Sequence, residues 1–172
     1  LNKGIKHLDY CRFDKAISDF TKAIEINPSA EAYNKRGNAY ELKARFIFDT
    51  GISVTDRSPH AEVYYRVNPH LDKAISDFNK AIEMDPGFAA AYRNRGGAYY
   101  RQDRLDDAIS DYNKAIEINP EFARAYNNRG VAYYFKGEYK KAWVDVSKAQ
   151  SLGGQVNPGF LDSLRKVSGR QE

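Results

Sequence analysis

Small and apolar residues recur along this chain at helical spacing. In AAYRNRGGAYYRQDRLDDAISDYNKAIEINP, Tyr92, Gly96 and Tyr99 fall on one face, Ala108, Tyr112 and Ala115 fall on another, and polar residues occupy most of the rest. The short polar stretches QDR and KGE divide such segments in two. The second half of each ends at Asp85-Pro86 or Asn119-Pro120, where proline lacks a backbone donor and disfavours helix in the residue before it. The pattern predicts pairs of helices joined by tight turns.

The pairs repeat. One interval separates Gly96 from Gly130 and Pro86 from Pro120, and the same interval spaces the series Ala74, Ala108 and Ala142 and the series Ala81, Ala115 and Ala149. A glycine on the first helix lets it approach the alanines of the second, with Phe78, Tyr99, Tyr112 and Tyr133 filling the space around the crossing. A single pair cannot bury that face, so the units must stack. Gly96, Tyr99, Ala108, Ala115 and Pro120, then Gly130, Tyr133, Ala142 and Ala149, resemble the signature of tetratricopeptide-repeat (TPR) proteins. The resemblance implies an all-α fold, a right-handed superhelix of antiparallel helix pairs (an α-solenoid) closed by a C-terminal capping helix. The chain departs from the pattern at Gly154, which replaces the usual proline, and at Arg36, Arg95 and Arg129, which precede the glycine where a small apolar residue is usual.

In this frame the chain is one array. Residues 1–29 form a repeat with a truncated first helix, 89–122 and 123–156 form complete repeats, and 157–172 form the capping helix, with Phe160, Leu161, Leu164 and Val167 on its apolar side. Residues 30–45 and 71–88 read as one repeat split by 46–70. The arginines give an internal check, because Arg95 stands as far before Asp111 as Arg129 stands before Asp145, whereas Arg36 regains that spacing to Asp77 only when residues 46–70 are set aside. The inserted FDTGIS matches FDKAIS of residues 13–18, and PHAEVY matches PSAEAY of 28–33, so the segment reads as a degenerate repeat. Extrusion of this segment is preferred over stacking as two shortened repeats, since lost turns destroy the packing period.

Composition narrows the chemistry. Lys and Arg total 27 against 23 Asp and Glu, a dispersed excess that suits an acidic peptide rather than nucleic acid. Cys11 is the only cysteine, and His7, His60 and His70 lack metal-ligand spacing, so no metal or other cofactor is expected. No apolar run reaches the roughly 20 residues of a membrane helix. The chain starts at Leu1, which reads as a fragment lacking its N-terminus and leaves localisation open, with the cytoplasm as default. Asp49-Thr50-Gly51 looks like an aspartic-protease turn, but that chemistry needs two carboxylates sharing a proton, and only one such turn is present. No enzyme is expected.

What remains is recognition. The resemblance implies that first helices line a concave groove, and helical phase puts Asn34 and Asn38, then Arg93, Asn94, Tyr100 and Arg101, then Arg124, Asn127, Asn128 and Tyr134 along it. Asparagine amides offer a donor and an acceptor to an extended backbone, and the arginines suit an acidic side chain or a C-terminal carboxylate. The expected function is a protein-interaction scaffold for an extended, acidic peptide. The alternatives are self-association into an oligomer or filament through the repeat ends or residues 46–70, and service as the targeting domain of a larger enzyme.

Overall fold

The computed structural model describes residues 2–51 and 68–169, with side chains described for 12–46 and 68–169. These residues form eight α-helices: α1 (Asn2–Ile26), α2 (Ala30–Gly51), α3 (Pro69–Met84), α4 (Ala89–Arg101), α5 (Leu105–Ile118), α6 (Ala123–Phe135), α7 (Tyr139–Ser151) and α8 (Pro158–Ser168). Each packs on its neighbours in chain order, the closest partners being α2 with α3, α4 with α5, and α6 with α7. The fold is a TPR helical solenoid.

Local chemistry sets the helix ends. Ser29 Oγ accepts from the Ala32 amide at 3.1 Å to start α2. Asn68 Oδ1 accepts from the His70 amide at 2.9 Å to start α3, with Pro69 at the first helical position. The turns after α4 and α6 require a left-handed residue, and Asp103 (φ 61°) and Gly137 (φ 78°) supply it. There the Arg104 amide donates to Tyr99 O at 3.0 Å and the Glu138 amide to Tyr133 O at 2.9 Å, closing both helices in the same way.

This turn chemistry explains two departures from the sequence reading. Counted from the packing glycine, the left-handed position falls on Cys11 in the first unit and Ala44 in the second, and neither residue favours that conformation. Accordingly α1 is one unbroken helix, without the turn that a truncated helix pair would place near residues 10–12, and α2 runs past residue 45 to Gly51. Asp49-Thr50-Gly51 thus closes a helix rather than forming a turn after a strand. Most of the 46–70 segment, residues 52–67, lies outside the described residues, and with it the choice between extrusion and stacking.

The glycines do what their spacing predicts. A Cβ on Gly96 would stand 2.8 Å from Tyr112 Cε1 and 3.1 Å from Ala108 O, and one on Gly37 would stand 2.6 Å from Phe78 Cε1. Tyr112 and Phe78 are buried and cannot swing away. Gly96→Ala is therefore expected to lower stability by about 1–3 kcal/mol through overpacking, measured by urea denaturation; an unchanged midpoint would contradict this account of the helix crossing.

Two polar ladders fix the stacking. In the first, Arg36 grips Asp77 through Nε (2.8 Å) and NH2 (2.7 Å), as Arg95 grips Asp111 (2.8 and 2.7 Å) and Arg129 grips Asp145 (2.7 and 2.6 Å). The remaining NH1 of each arginine then reaches the preceding layer, at Thr21 (3.2 Å), Asn79 (2.7 Å) and Asn113 (2.6 Å). Each guanidinium also lies 5.5 Å from the ring of a tyrosine one turn earlier, Tyr33, Tyr92 or Tyr126. The arginines at the unusual position before the glycine are thus three-way ties, within and between helix pairs. In the second ladder, Lys43 pairs with Asp14 (2.5 Å), Gln102 donates to Asp72 (2.8 Å) and Lys136 pairs with Asp106.

Helix α8 lays Phe160, Leu161 and Leu164 against a cluster that includes Val146, Tyr134 and Trp143, and Trp143 Nε1 donates to Ser168 Oγ at 2.8 Å. Val167, expected on the same apolar side, is partly exposed. Near the start of α3, His70 stacks 6.2 Å from Tyr40. Burial first, then Lys43 and Lys73, hold the His70 pKa below 6.5, opposed by Asp14. The unfolded chain therefore takes this proton at higher pH than the folded one, so stability is expected to fall as pH drops through about 6.5. Urea titrations at several pH values should show that slope, reduced in His70→Gln.

Candidate functional site

The groove residues divide into those spent on the fold and those left over. Helices α4 and α6 present a cavity of about 250 Å3 lined by Glu41, Arg93, Asn94, Tyr100, Arg101 and Asn128, with Gly97, Tyr112 and Val131 completing the wall. Glu41 reaches it from α2. Gly97 keeps the floor open, since a Cβ there would have only the Glu41 carboxylate and the Tyr112 hydroxyl within 4 Å.

Asn34 and Asn94 are buried and bond to each other, Asn94 Nδ2 donating to Asn34 Oδ1 at 2.8 Å. Both amides are thus spent on a tie between layers, with Asn94 Oδ1 occupied in turn by Arg93 NH2. Arg101 is also engaged, donating through Nε to Glu41 Oε1 at 3.0 Å, with NH2 in ion-pair contact with the same oxygen at 3.0 Å. Helical phase alone does not match these partners, because they lie 60 residues apart. The signal becomes visible once residues 46–70 are set aside, which brings each pair to one repeat plus one position.

Arg93 and Arg124 are the arginines left over. Arg93 has no carboxylate in salt-bridge contact among the described residues, its Nε is buried without a hydrogen-bond partner, and its guanidinium lies 6.0 Å from the Phe122 ring. Burial, aided by the charges of Arg124 and Arg101 and opposed by Glu41, pushes its pKa down. Arg124 is exposed and forms no ion pair among the described residues. It lines a second, adjacent cavity of about 570 Å3 with Asn127, Ala123 and the Leu152–Gln155 loop. Asn127 Oδ1 is buried there without a donor.

The aromatic candidates form a wall beside these cavities. Tyr100 lies 5.7 Å from Phe135, which lies 5.3 Å from Tyr134, and Tyr134 continues to Phe160 of α8 at 5.5 Å. Tyr134 is therefore committed largely to the capping helix, and Phe135 is the exposed member of the row. Asn38 is half-buried and outside the cavity lining. Among the described residues no cluster of His, Cys, Asp and Glu is arranged to hold a metal ion, and no helix is long and apolar enough to cross a membrane.

Comparison with known proteins agrees with the fold. The family described as "TPR repeat" matches residues 70–103 and 96–137, and "Tetratricopeptide repeat" matches 12–29 and 123–152. Human tetratricopeptide repeat protein 13 is 30% identical over 97 residues, covering 51% of this chain; the match spans only 11% of that protein. Among solved structures, the first TPR of Spaghetti (RPAP3), bound to the HSP90 peptide SRMEEVD, superposes with a TM-score of 0.62 at 24% identity, covering 82% of this chain and 91% of that one. The Arabidopsis OM64 TPR domain gives 0.62 at 22%, covering 82% and 95%. The first TPR domain of human RPAP3 gives 0.53 at 27%, covering 65% and 93%.

Proposed function

The chain belongs to the tetratricopeptide repeat family, and from that premise we propose that it is a non-catalytic scaffold binding an extended, acidic peptide along the face lined by α2, α4 and α6. The observation that carries this reading is the pair of arginines, Arg93 and Arg124, left without acidic partners beside two open cavities, while Arg36, Arg95, Arg101 and Arg129 are all paired. Unpaired guanidinium forks favour carboxylates in bidentate geometry. The HSP90 peptide held by the similar structures, SRMEEVD, is itself acidic and supports the same ligand class. In this reading Arg93, Arg124, Asn127 and Asn128 contact the peptide, Tyr100 and Phe135 give it an apolar ledge, and Asn34, Asn94 and Arg101 hold the wall. Residues 30–45 with 71–88 act as one repeat within the scaffold, a division that the Arg36–Asp77 pair supports.

Selection of a random displayed peptide library against the chain tests the ligand class. Enrichment of extended sequences rich in Asp and Glu is expected. Enrichment of basic sequences, or of amphipathic helices without acidic positions, would overturn the reading.

A further inference from the structure

We propose that the open face of α1 is an interface for a second copy of this chain, which covers it with residues 2–9 of its own α1. The inference is independent of the groove reading. Equivalent layers supply the first argument. Ala74, Phe78 and Ala81 of α3 are buried, as are their equivalents Ala108, Tyr112 and Ala115 of α5 and Ala142, Val146 and Ala149 of α7, with the glycine of the first helix in each pair set against them. The equivalents on α1 are Ala16, Phe20 and Ala23, of which the first two are only half-buried and the third is exposed. The aspartates show the same contrast. Asp77, Asp111 and Asp145 are buried and gripped by an arginine of the first helix, whereas Asp19, their equivalent, is exposed and forms no ion pair among the described residues. Helix α1 thus carries the inner face of a repeat without the helix that covers it.

The chain's own sequence says what fits there. In α2, α4 and α6 the covering element is a cation followed by glycine, at Arg36-Gly37, Arg95-Gly96 and Arg129-Gly130. Lys3-Gly4 repeats that pair in register: Lys3 stands as far before Asp19 as Arg95 before Asp111, and Gly4 as far before Ala16 as Gly96 before Ala108. Within one chain the two halves do not meet, because α1 is unbroken and its rise of about 1.5 Å per residue sets Lys3 and Asp19 about 24 Å apart along the axis. Cys11 also occupies the position where the next hairpin but one turns through the left-handed Asp103, which disfavours folding back. A second copy supplies the same contacts from outside: Gly4 lets its helix approach Phe20, and Lys3 meets Asp19. This is an exchange of one element between identical chains.

Analytical ultracentrifugation of the chain over a range of concentrations is the test. The average mass is expected to rise with concentration above that of one copy. Lys3→Glu and Asp19→Lys should each weaken association by about tenfold or more, since each sets like charges against one another across the contact. An equimolar mixture of the two variants should restore it, because each then supplies the charge the other lacks; a contact within one chain gains nothing from mixing. Gly4→Val should abolish association, as a Cβ on the equivalent Gly37 would stand 2.6 Å from Phe78. Circular dichroism establishes that the variants are folded. A chain that stays monomeric at every concentration, with its urea midpoint lowered by Gly4→Val, would mean that residues 2–9 close on their own α1, and overturns the proposal. A monomer indifferent to all three changes overturns it too, and so does association that survives Lys3→Glu and Gly4→Val, which places the interface elsewhere. None of these outcomes bears on acidic peptides in the groove.

Discussion

Asp111→Asn is expected to destabilise the chain by about 3 kcal/mol, while Glu83→Gln should cost less than about 0.5 kcal/mol. Both changes remove one carboxylate charge from an arginine or lysine pair, and their surroundings differ. Asp111 is 8% exposed at its side chain and holds Arg95, itself 20% exposed, through two hydrogen bonds. Removing the charge leaves a half-buried guanidinium uncompensated between Tyr92 and Tyr99, still tied to Asn79 of the preceding layer. The Lys80–Glu83 pair, with side chains 52% and 63% exposed, is screened by water on both sides. Against a total stability of about 5–15 kcal/mol for a typical domain, the first loss is large. Repeat arrays are held by neighbour contacts, so Asp77→Asn and Asp145→Asn should behave alike at their own layers. Urea denaturation of the four variants gives the comparison, and equal costs for Asp111 and Glu83 would contradict the tie.

The second large effect concerns binding. Arg93→Glu combined with Arg124→Glu is expected to weaken an acidic peptide by a factor of about 100 or more. Each unpaired arginine supplies charge-assisted hydrogen bonds worth about 1.5–3 kcal/mol, and reversal replaces attraction with repulsion. Two such losses exceed the roughly 2.8 kcal/mol that corresponds to a hundredfold change in affinity. Neither residue belongs to the Arg–Asp ties, but Arg93 is part-buried and bonds Asn94, so circular dichroism and the urea midpoint establish that the variant is folded before affinities are compared. Lys140→Glu, on the side of the array where Lys140, Lys141 and Val144 line a separate hollow with Arg129, should leave affinity within about twofold. Equal weakening by both changes would mean that overall charge governs binding.

The sequence is most readable where one constraint repeats. Helix faces, the glycine crossings and the Arg–Asp spacing all recur with the repeat period, and Arg36 reaches Asp77 across the interruption as the spacing predicts. The helix ends are less readable, because a turn depends on one residue accepting a left-handed backbone. Asp103 and Gly137 do so, while Cys11 and Ala44 fall at the equivalent positions in helices that continue. In the candidate site, helical phase finds the right faces but does not say which polar groups the neighbouring layer consumes. Asn34, Asn94 and Arg101 are consumed, whereas Arg93, Arg124 and Asn127 keep unmet capacity. That division depends on partners a full layer away, and the 46–70 interruption hides their spacing.

The most direct measurement of the central claim is a two-dimensional NMR titration of the labelled chain with an acidic extended peptide. The account predicts saturable shifts concentrated on Arg93, Tyr100, Arg124, Asn127 and Asn128, including the Arg93 Nε–Hε signal, with Lys140, Lys141 and Val144 unmoved. Shifts centred on those last three residues, or on the outer surface of α8, would contradict it.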